Sequence, residues 1–467
     1  MNSKIFHFVL ILWISIFFIQ KNWGQNHVVK KPNVIIIFMD DLGYGDLSSY
    51  GHPTIKTPHI DKLAREGQKW TNFYTASSVC SPSRGALLTG RYPVRIGLGG
   101  DEKRVFFPES IGGLPDDEVT IAEVLKLNGY KTGMIGKWHL GHLPEFLPTR
   151  QGFDTYFGIP YSNDMNGVKW GLETFFGEPD INMWKVPLME NDSIIELPAD
   201  QFTITKRYTE RAIDFIKENE EQPFFLYLAH SMVHTPLFAS EEFQETSVRG
   251  LFGDVMNEVD WSLGEIVRTL AELGLDKNTL IVFTSDNGPW LMMREQGGSA
   301  GLLKDGKGTT WEGGMRVPAI FYMPETIQSG IVTELGSTLD LLPTIAFLTK
   351  SNLPEVTLDG FDLGPVLFQG QKSPRDHFFY YRKKEIYAIR KGSYKAHFTT
   401  ETCYNKNNER KDHESPLLYH LDHDPSEQFN HANEEPEVLR EILALKKEQE
   451  NTLVIRESEL DKYPLKD

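Results

Sequence analysis

The sequence predicts an α/β fold: a mostly parallel sheet covered by helices, followed by a small antiparallel sheet with one helix. Three observations carry this. From Asn33 onward, short continuous apolar runs alternate with longer amphipathic segments, the pattern of strands buried on both faces between crossover helices. The length of 467 residues exceeds what one average domain needs. From about Ser373 the pattern changes to short strands joined by charged turns.

The first strand is Val34–Phe38, too continuously apolar to be half exposed. Thr57-Pro58 opens a helix closed by Gly67, and Thr120-Ile-Ala-Glu123 is a capping box whose helix ends near Gly129. Further strands fall at Thr132–Ile135, Phe224–Ala229, Leu280–Thr284 and Ala319–Met323, with helical periodicity at 201–218 and 253–273. The order is that of repeated βαβ units with right-handed crossovers. Short strands at His377–Tyr381, Glu385–Ile389, Tyr394–Phe398 and Leu417–Leu421, then a helix from Pro436 to Thr452, make the appendage.

Met1 to Lys4 followed by the apolar run Ile5–Ile19 has the layout of a secretory signal and is short for a membrane span. The expected division is a signal peptide over 1–25, a large domain over 26–372 and a small one over 373–467. Asn22-Trp23-Gly24 is the best available cleavage region, with an uncleaved anchor as the alternative. No cysteine follows the run, which argues against a lipoprotein anchor. The expectation is an exported protein, periplasmic or secreted, with no stable membrane span.

Acidic residues outnumber basic ones, 65 to 48, so the formal charge of −17 disfavours a nucleic-acid partner. Two cysteines, Cys80 and Cys403, are too few for a disulfide framework or a clustered-thiolate zinc site.

In open α/β sheets ligands bind beyond the carboxyl ends of the strands. The apolar runs lead there to Asp40-Asp41, to Lys137 and His139, to His230 and His234, and to Asp286-Asn287. Either acidic pair alone would read as turn residues. Together, Asp40, Asp41, Asp286 and Asn287 form a hard-oxygen donor set suited to Ca²⁺ or Mg²⁺. Cys80 stands just before a short helix with Pro82 in its first turn and Arg84 offering a forked donor to a tetrahedral anion. A lone cysteine is usually a small buried hydrophobe; the Pro and Arg at fixed offsets argue otherwise. Lys137 and Lys307 would alone read as solvated charges, and His139 and His234 as loop residues. His230, His420, His423 and His431 have a spacing that matches no site and are read as structural.

Cys80-Ser-Pro82-Ser-Arg84 with Leu88-Thr-Gly90-Arg91 resembles the formylglycine signature of type I sulfatases. The resemblance extends through Met39-Asp40-Asp41, Gly136 to Gly141, His234-Thr-Pro236, Ser285 to Gly288 and Gly306 to Gly314. It is closest to the arylsulfatase A and N-acetylgalactosamine-6-sulfatase branch through Ile111 to Asp116, Glu295 to Ser299, Phe379 to Arg382, Lys395 to Phe398 and Tyr419 to Pro425. The fold implied is alkaline-phosphatase-like. The resemblance implies that Cys80 is oxidised to formylglycine by a formylglycine-generating or sulfatase-maturating enzyme. It also implies one Ca²⁺, held by Asp40, Asp41, Asp286, Asn287 and the residue made from Cys80.

A hydrated aldehyde would attack sulfur with one hydroxyl and expel sulfate with the other, replacing one hard step by two easier ones. Arg84, Lys137 and Lys307 would stabilise the sulfuryl oxygens. His139 would contact the diol, His234 would protonate the leaving oxygen, and Ser162 would contact sulfate. The substrate expected is a sulfated carbohydrate of the galactose or N-acetylgalactosamine type. The alternatives are a broad arylsulfatase, a phosphonate or phosphodiester hydrolase of the same superfamily, and a non-catalytic glycan-binding protein. Animal members of the family are disulfide-bonded, so two cysteines imply a bacterial exported enzyme.

Overall fold

β1 (Asn33–Met39) is buried throughout and pairs in parallel with β7 (Phe224–Ala229) on one side and β8 (Thr279–Ser285) on the other. Beyond β7 lie β3 (Lys131–Lys137) and β4 (Thr155–Ile159), also parallel. In this computed structural model, which describes residues 31–168, 171–177, 179–403 and 409–464, the sheet has ten strands in the order β10-β2-β9-β8-β1-β7-β3-β4-β5-β6. The remaining members are β2 (Gln68–Tyr74), β5 (Leu188–Glu190), β6 (Ser193–Glu196), β9 (Arg316–Tyr322) and β10 (Gly330–Ser337). The N-terminal apolar segment lies outside the described residues, among which no helix is long and apolar enough to cross a membrane.

Alternate residues of β1 serve two cores, because successive side chains point to opposite faces. Ile35, Ile37 and Met39 pack with α1 (Pro58–Glu66), α4 (Ile204–Glu218) and α5 (Leu251–Glu272). Val34, Ile36 and Phe38 pack with α2 (Cys80–Thr89), α3 (Ile121–Leu127) and α7 (Leu341–Thr349). The capping box is present: Thr120 Oγ1 accepts from Glu123 N and Glu123 Oε2 accepts from Thr120 N.

Besides the antiparallel edge strands β5 and β6, β9 departs from repeated βαβ units. β9 runs antiparallel to β8 and β2, so the chain from Ser285 to Arg316 returns without crossing the sheet. The parallel ends of β8, β1, β7 and β3 and the start of β9 therefore share one edge.

β11 (His377–Arg382), β12 (Glu385–Lys391), β13 (Tyr394–Thr400) and β14 (Lys411–His420) form an antiparallel sheet in that order. This sheet and α8 (Pro436–Thr452), through Ile442, bury a third core against β2 and α2. Glu312, in the short helix α6 (Glu312–Met315), sits at the junction, bonded by the Tyr74 and Tyr380 hydroxyls and paired with Lys395. Burial opposes its ionisation, but Lys395, Arg316 and Arg390 prevail and hold its pKa at about 2, against an ordinary 4.5. A depressed pKa gives stability that is present above the unfolded value and lost as pH falls through the folded one. The thermal midpoint should therefore drop as pH is lowered from about 4.5 to about 2. Glu312→Gln should flatten that dependence; an unchanged slope would remove Glu312 as its source.

Candidate active site

The shared edge gathers every residue singled out from the strand ends except His230. Asp40 and Asp41 follow β1, Lys137 ends β3, and Asp286-Asn287 follows β8. Gly136, with φ 112° and an imagined Cβ only 1.8 Å from Ala229 O, lets β3 close against β7 just before Lys137. Cys80 is the first residue of α2, where unpaired backbone N–H groups and the positive helix end gather.

Three carboxylates face three cations around the Cys80 thiol. Sγ lies 3.5 Å from Asp40 Oδ1. Arg84 donates from Nε and a terminal nitrogen to Asp286 Oδ2 at 3.1 and 2.8 Å, and its other terminal nitrogen reaches Lys137 O at 2.8 Å. Lys137 Nζ pairs with Asp40 Oδ2 at 2.5 Å and donates to Ser162 Oγ at 3.0 Å. Lys307 Nζ pairs with Asp41 at 2.8 Å and lies 4.8 Å from the Trp290 ring centre. His234 Nδ1 bonds Thr235 O, which leaves Nε2 facing Asp41 Oδ2 at 3.6 Å. His139 Nε2 bonds Phe106 O at 2.9 Å, and its Nδ1 has no partner.

Electrostatics follow from burial. Desolvation raises Asp40, but Lys137, His234, Arg84 and Lys307 outweigh it and hold the carboxyl well below its usual range. Burial raises Asp41 despite Lys307. Asp286 is pushed up to about 7 by burial and by Asp40 and Asp41, against Arg84 and Lys137. Burial pushes the Cys80 thiol well up, with Asp286 adding to it, so the unmodified thiol would be a protonated, weak nucleophile. His139 and His234 are both driven down, chiefly by burial, with Lys137 and Lys307 contributing respectively.

The donor set fits a hard cation. Ligand atoms of Asp40, Asp41, Cys80 and Asp286 all lie within 4.8 Å of one another, and Asn287 Oδ1 is buried beside them with no partner. The strained ionisation of Asp286 is what a bound divalent cation would relieve. Fully ionised, the six charged side chains cancel, so such a cation would leave the pocket positive and ready for an anion.

Some members have no local sequence signature. Asp164, two residues after Ser162, is buried, has one unpartnered oxygen and is pushed up by burial against Lys137 and Lys307. Its place just past β4 follows the same strand-end logic. Asn163 Nδ2 ties the carbonyls of Pro236 and His234 at 3.0 and 3.4 Å. Trp290 packs its ring 5.4 Å from that of His234. His230 is buried outside the cluster, near Ser262, while His420 and His423 stack on each other by the small sheet.

Residues 32–351 match the family described as Sulfatase, and residues 373–466 match the C-terminal region of aryl-sulfatase. Arylsulfatase A of Homo sapiens is 45% identical over 447 residues, covering 90% of this chain and 87% of that protein. N-acetylgalactosamine-6-sulfatase of Mus musculus is 38% identical, covering 92% and 88%. The solved PsFucS1 sulfatase from Pseudoalteromonas sp. aligns with a TM-score of 0.82 at 29% identity, covering 94% of this chain and 92% of that one. With the strand-end cluster around Cys80, these similarities establish that the chain belongs to the sulfatase family and is a sulfuric ester hydrolase.

Proposed function

We propose that the enzyme cleaves sulfate from galactose- or N-acetylgalactosamine-type sugars, using a formylglycine made from Cys80 and one Ca²⁺. The observation that carries this reading is the single buried pocket in which Asp40, Asp41, Asp286 and the unpartnered Asn287 oxygen surround Cys80 together with Arg84, Lys137 and Lys307. The sugar assignment leans on the printed activity of the N-acetylgalactosamine-6-sulfatase relative; the higher identity to arylsulfatase A favours a broader arylsulfatase as the second reading.

Asp40, Asp41, Asp286 and Asn287 would hold the cation, whose charge would acidify the nucleophile and bind the sulfate ester. A hydrated aldehyde at position 80 would supply an oxygen nucleophile that the high-pKa thiol does not. Arg84, Lys137 and Lys307 would face the sulfuryl oxygens, where charge spreads as sulfur is attacked. The hydroxyl of Ser162, fixed by Lys137, would donate to the same oxygens. The Nδ1 of His139, buried without a partner, would accept a proton. His234, its ring oriented through Nδ1 to a backbone carbonyl, would deliver a proton from Nε2 to the departing oxygen, its charged form favoured by the arriving anion.

Because Cys80 is 2% exposed, a maturating enzyme would have to act before this region folds, in keeping with modification during export. Sulfate release from a panel of galactose-type sulfates, aryl sulfates and phosphonate esters tests the reading on protein coexpressed with a formylglycine-generating enzyme. Turnover of aryl sulfates without any galactose-type sulfate would favour the second reading. Preferred turnover of phosphonates would overturn both. Elemental analysis should find about one calcium per chain, and Asp286→Ala should lose calcium and activity together. Stoichiometric zinc without calcium in active protein would contradict the cation assignment.

A further inference from the structure

Lys307 rides on a loop, residues 304–314, whose two ends are joined by Gly313 N donating to Lys304 O at 2.8 Å. On the active-site side the loop is pinned by Lys307 N to Pro289 O, Gly308 N to Ser78 O, and Gly288 N to Gly314 O, at 2.9, 2.8 and 3.1 Å. Its far side rests on the small C-terminal sheet, where Lys395 Nζ donates to Thr310 O at 2.8 Å and Trp311 Nε1 to Glu401 O at 3.1 Å.

One fully buried residue beyond that sheet reaches both ends of the loop. Glu427 Oε2 accepts from Glu312 N at 2.8 Å, and the Glu427 carbonyl accepts from Lys304 Nζ at 3.0 Å. Its other carboxylate oxygen is held by Lys395 Nζ at 3.0 Å and His397 Nε2 at 2.7 Å. Lys395 and His397 are adjacent same-face positions of β13, so the clamp is anchored in the sheet rather than in the loop. Burial and Lys395 hold His397 down to about 4, which keeps it neutral as a donor from Nε2. A buried carboxylate with three donors has a tightly defined place, and it transmits that place to the neck of the loop carrying Lys307.

We propose that Glu427 is a positioning residue for Lys307, and that the small sheet sets the geometry of the sulfate pocket through it. This rests on the reading of Lys307 as a sulfate-site group. Two measurements separate the failure of one from the failure of the other: steady-state kinetics on a sulfate ester, and the rate at which an acylating reagent labels the Lys307 amine, read by peptide mass spectrometry.

In Glu427→Ala with unchanged circular dichroism, Lys307 should label several-fold faster and kcat/KM should fall about 10²-fold, the cost of a displaced site group. Glu427→Gln, which keeps an acceptor for Glu312 N, should recover most of that loss. In a Lys307→Ala background the Glu427→Ala loss should shrink to within about 3-fold, because two changes acting through one group are not additive. Unchanged Lys307 labelling in folded Glu427→Ala, or full additivity with Lys307→Ala, overturns the proposal. If Glu427→Ala does not fold, Lys304→Met, which removes the contact to the Glu427 carbonyl, carries the test: faster Lys307 labelling is expected, and unchanged labelling overturns the proposal equally. A wild-type chain inactive on every sulfate ester would sink the site reading, while the labelling result would still decide the clamp.

Discussion

Cys80→Ala is expected to bind substrate and turn nothing over, a loss on the order of 10⁵–10⁶-fold, the scale seen when a covalent nucleophile is removed. Arg84, Lys137 and Lys307 stay in place in that variant, because their pairs are with Asp286, Asp40 and Asp41 rather than with the thiol. The side chain removed is small and touches the cluster chiefly through Sγ to Asp40 at 3.5 Å, so the thermal midpoint should move little. Peptide mass spectrometry of active wild-type protein should show an aldehyde, with its hydrate, at position 80. Full activity from protein carrying only unmodified cysteine there would remove the mechanism, since burial holds that thiol protonated. Retained activity in Cys80→Ala would do the same.

His234→Ala should separate two kinds of substrate. A sugar alkoxide leaves poorly and needs a proton, whereas a nitrophenolate departs largely without one. Loss of a general acid typically costs about 10²–10⁴-fold, so a galactose-type sulfate should bear most of that and an activated aryl sulfate much less. The geometry gives the expectation its weight: Nδ1 is committed to Thr235 O, leaving Nε2 as the nitrogen aimed into the pocket. Equal losses on both substrates would take His234 out of the acid role and leave it as a partner of Asp41.

The central strands were legible because β1, β7 and β8 are buried on both faces and read as unbroken apolar runs. β2 is not legible: its sequence, Gln-Lys-Trp-Thr-Asn-Phe-Tyr, mixes polar residues into a strand that lies inside the sheet, and the polar Asn72 is satisfied by Thr333 O. β10 carries no clear strand signal because its first half is exposed at the edge. The antiparallel sense of β9 is invisible in its composition, since an apolar run has no direction. Likewise, the site residues carried by motifs come together around Cys80, while Trp290 and the carbonyl of Phe106 enter by folding alone. Glu427 is the extreme case. It lies 120 positions from Lys307 in sequence, and only the packing of one sheet on a loop relates the two.

The return of β9 alongside β8 has a consequence for how this enzyme's selectivity can be altered. Because the two strands are antiparallel neighbours, residues 286–315 leave and re-enter the sheet at the same edge, as an oversized hairpin. Closing such an excursion costs only slowly more as it lengthens, and no crossover helix has to be re-seated. Its front carries Asp286 and Asn287 and its rear carries Lys307; between them Trp290 is packed on His234, Met293 is buried in the core and Ser299 O accepts from Gly45 N, so changes of length are expected to be tolerated at the exposed Arg294 and Glu295 while both strands keep their register.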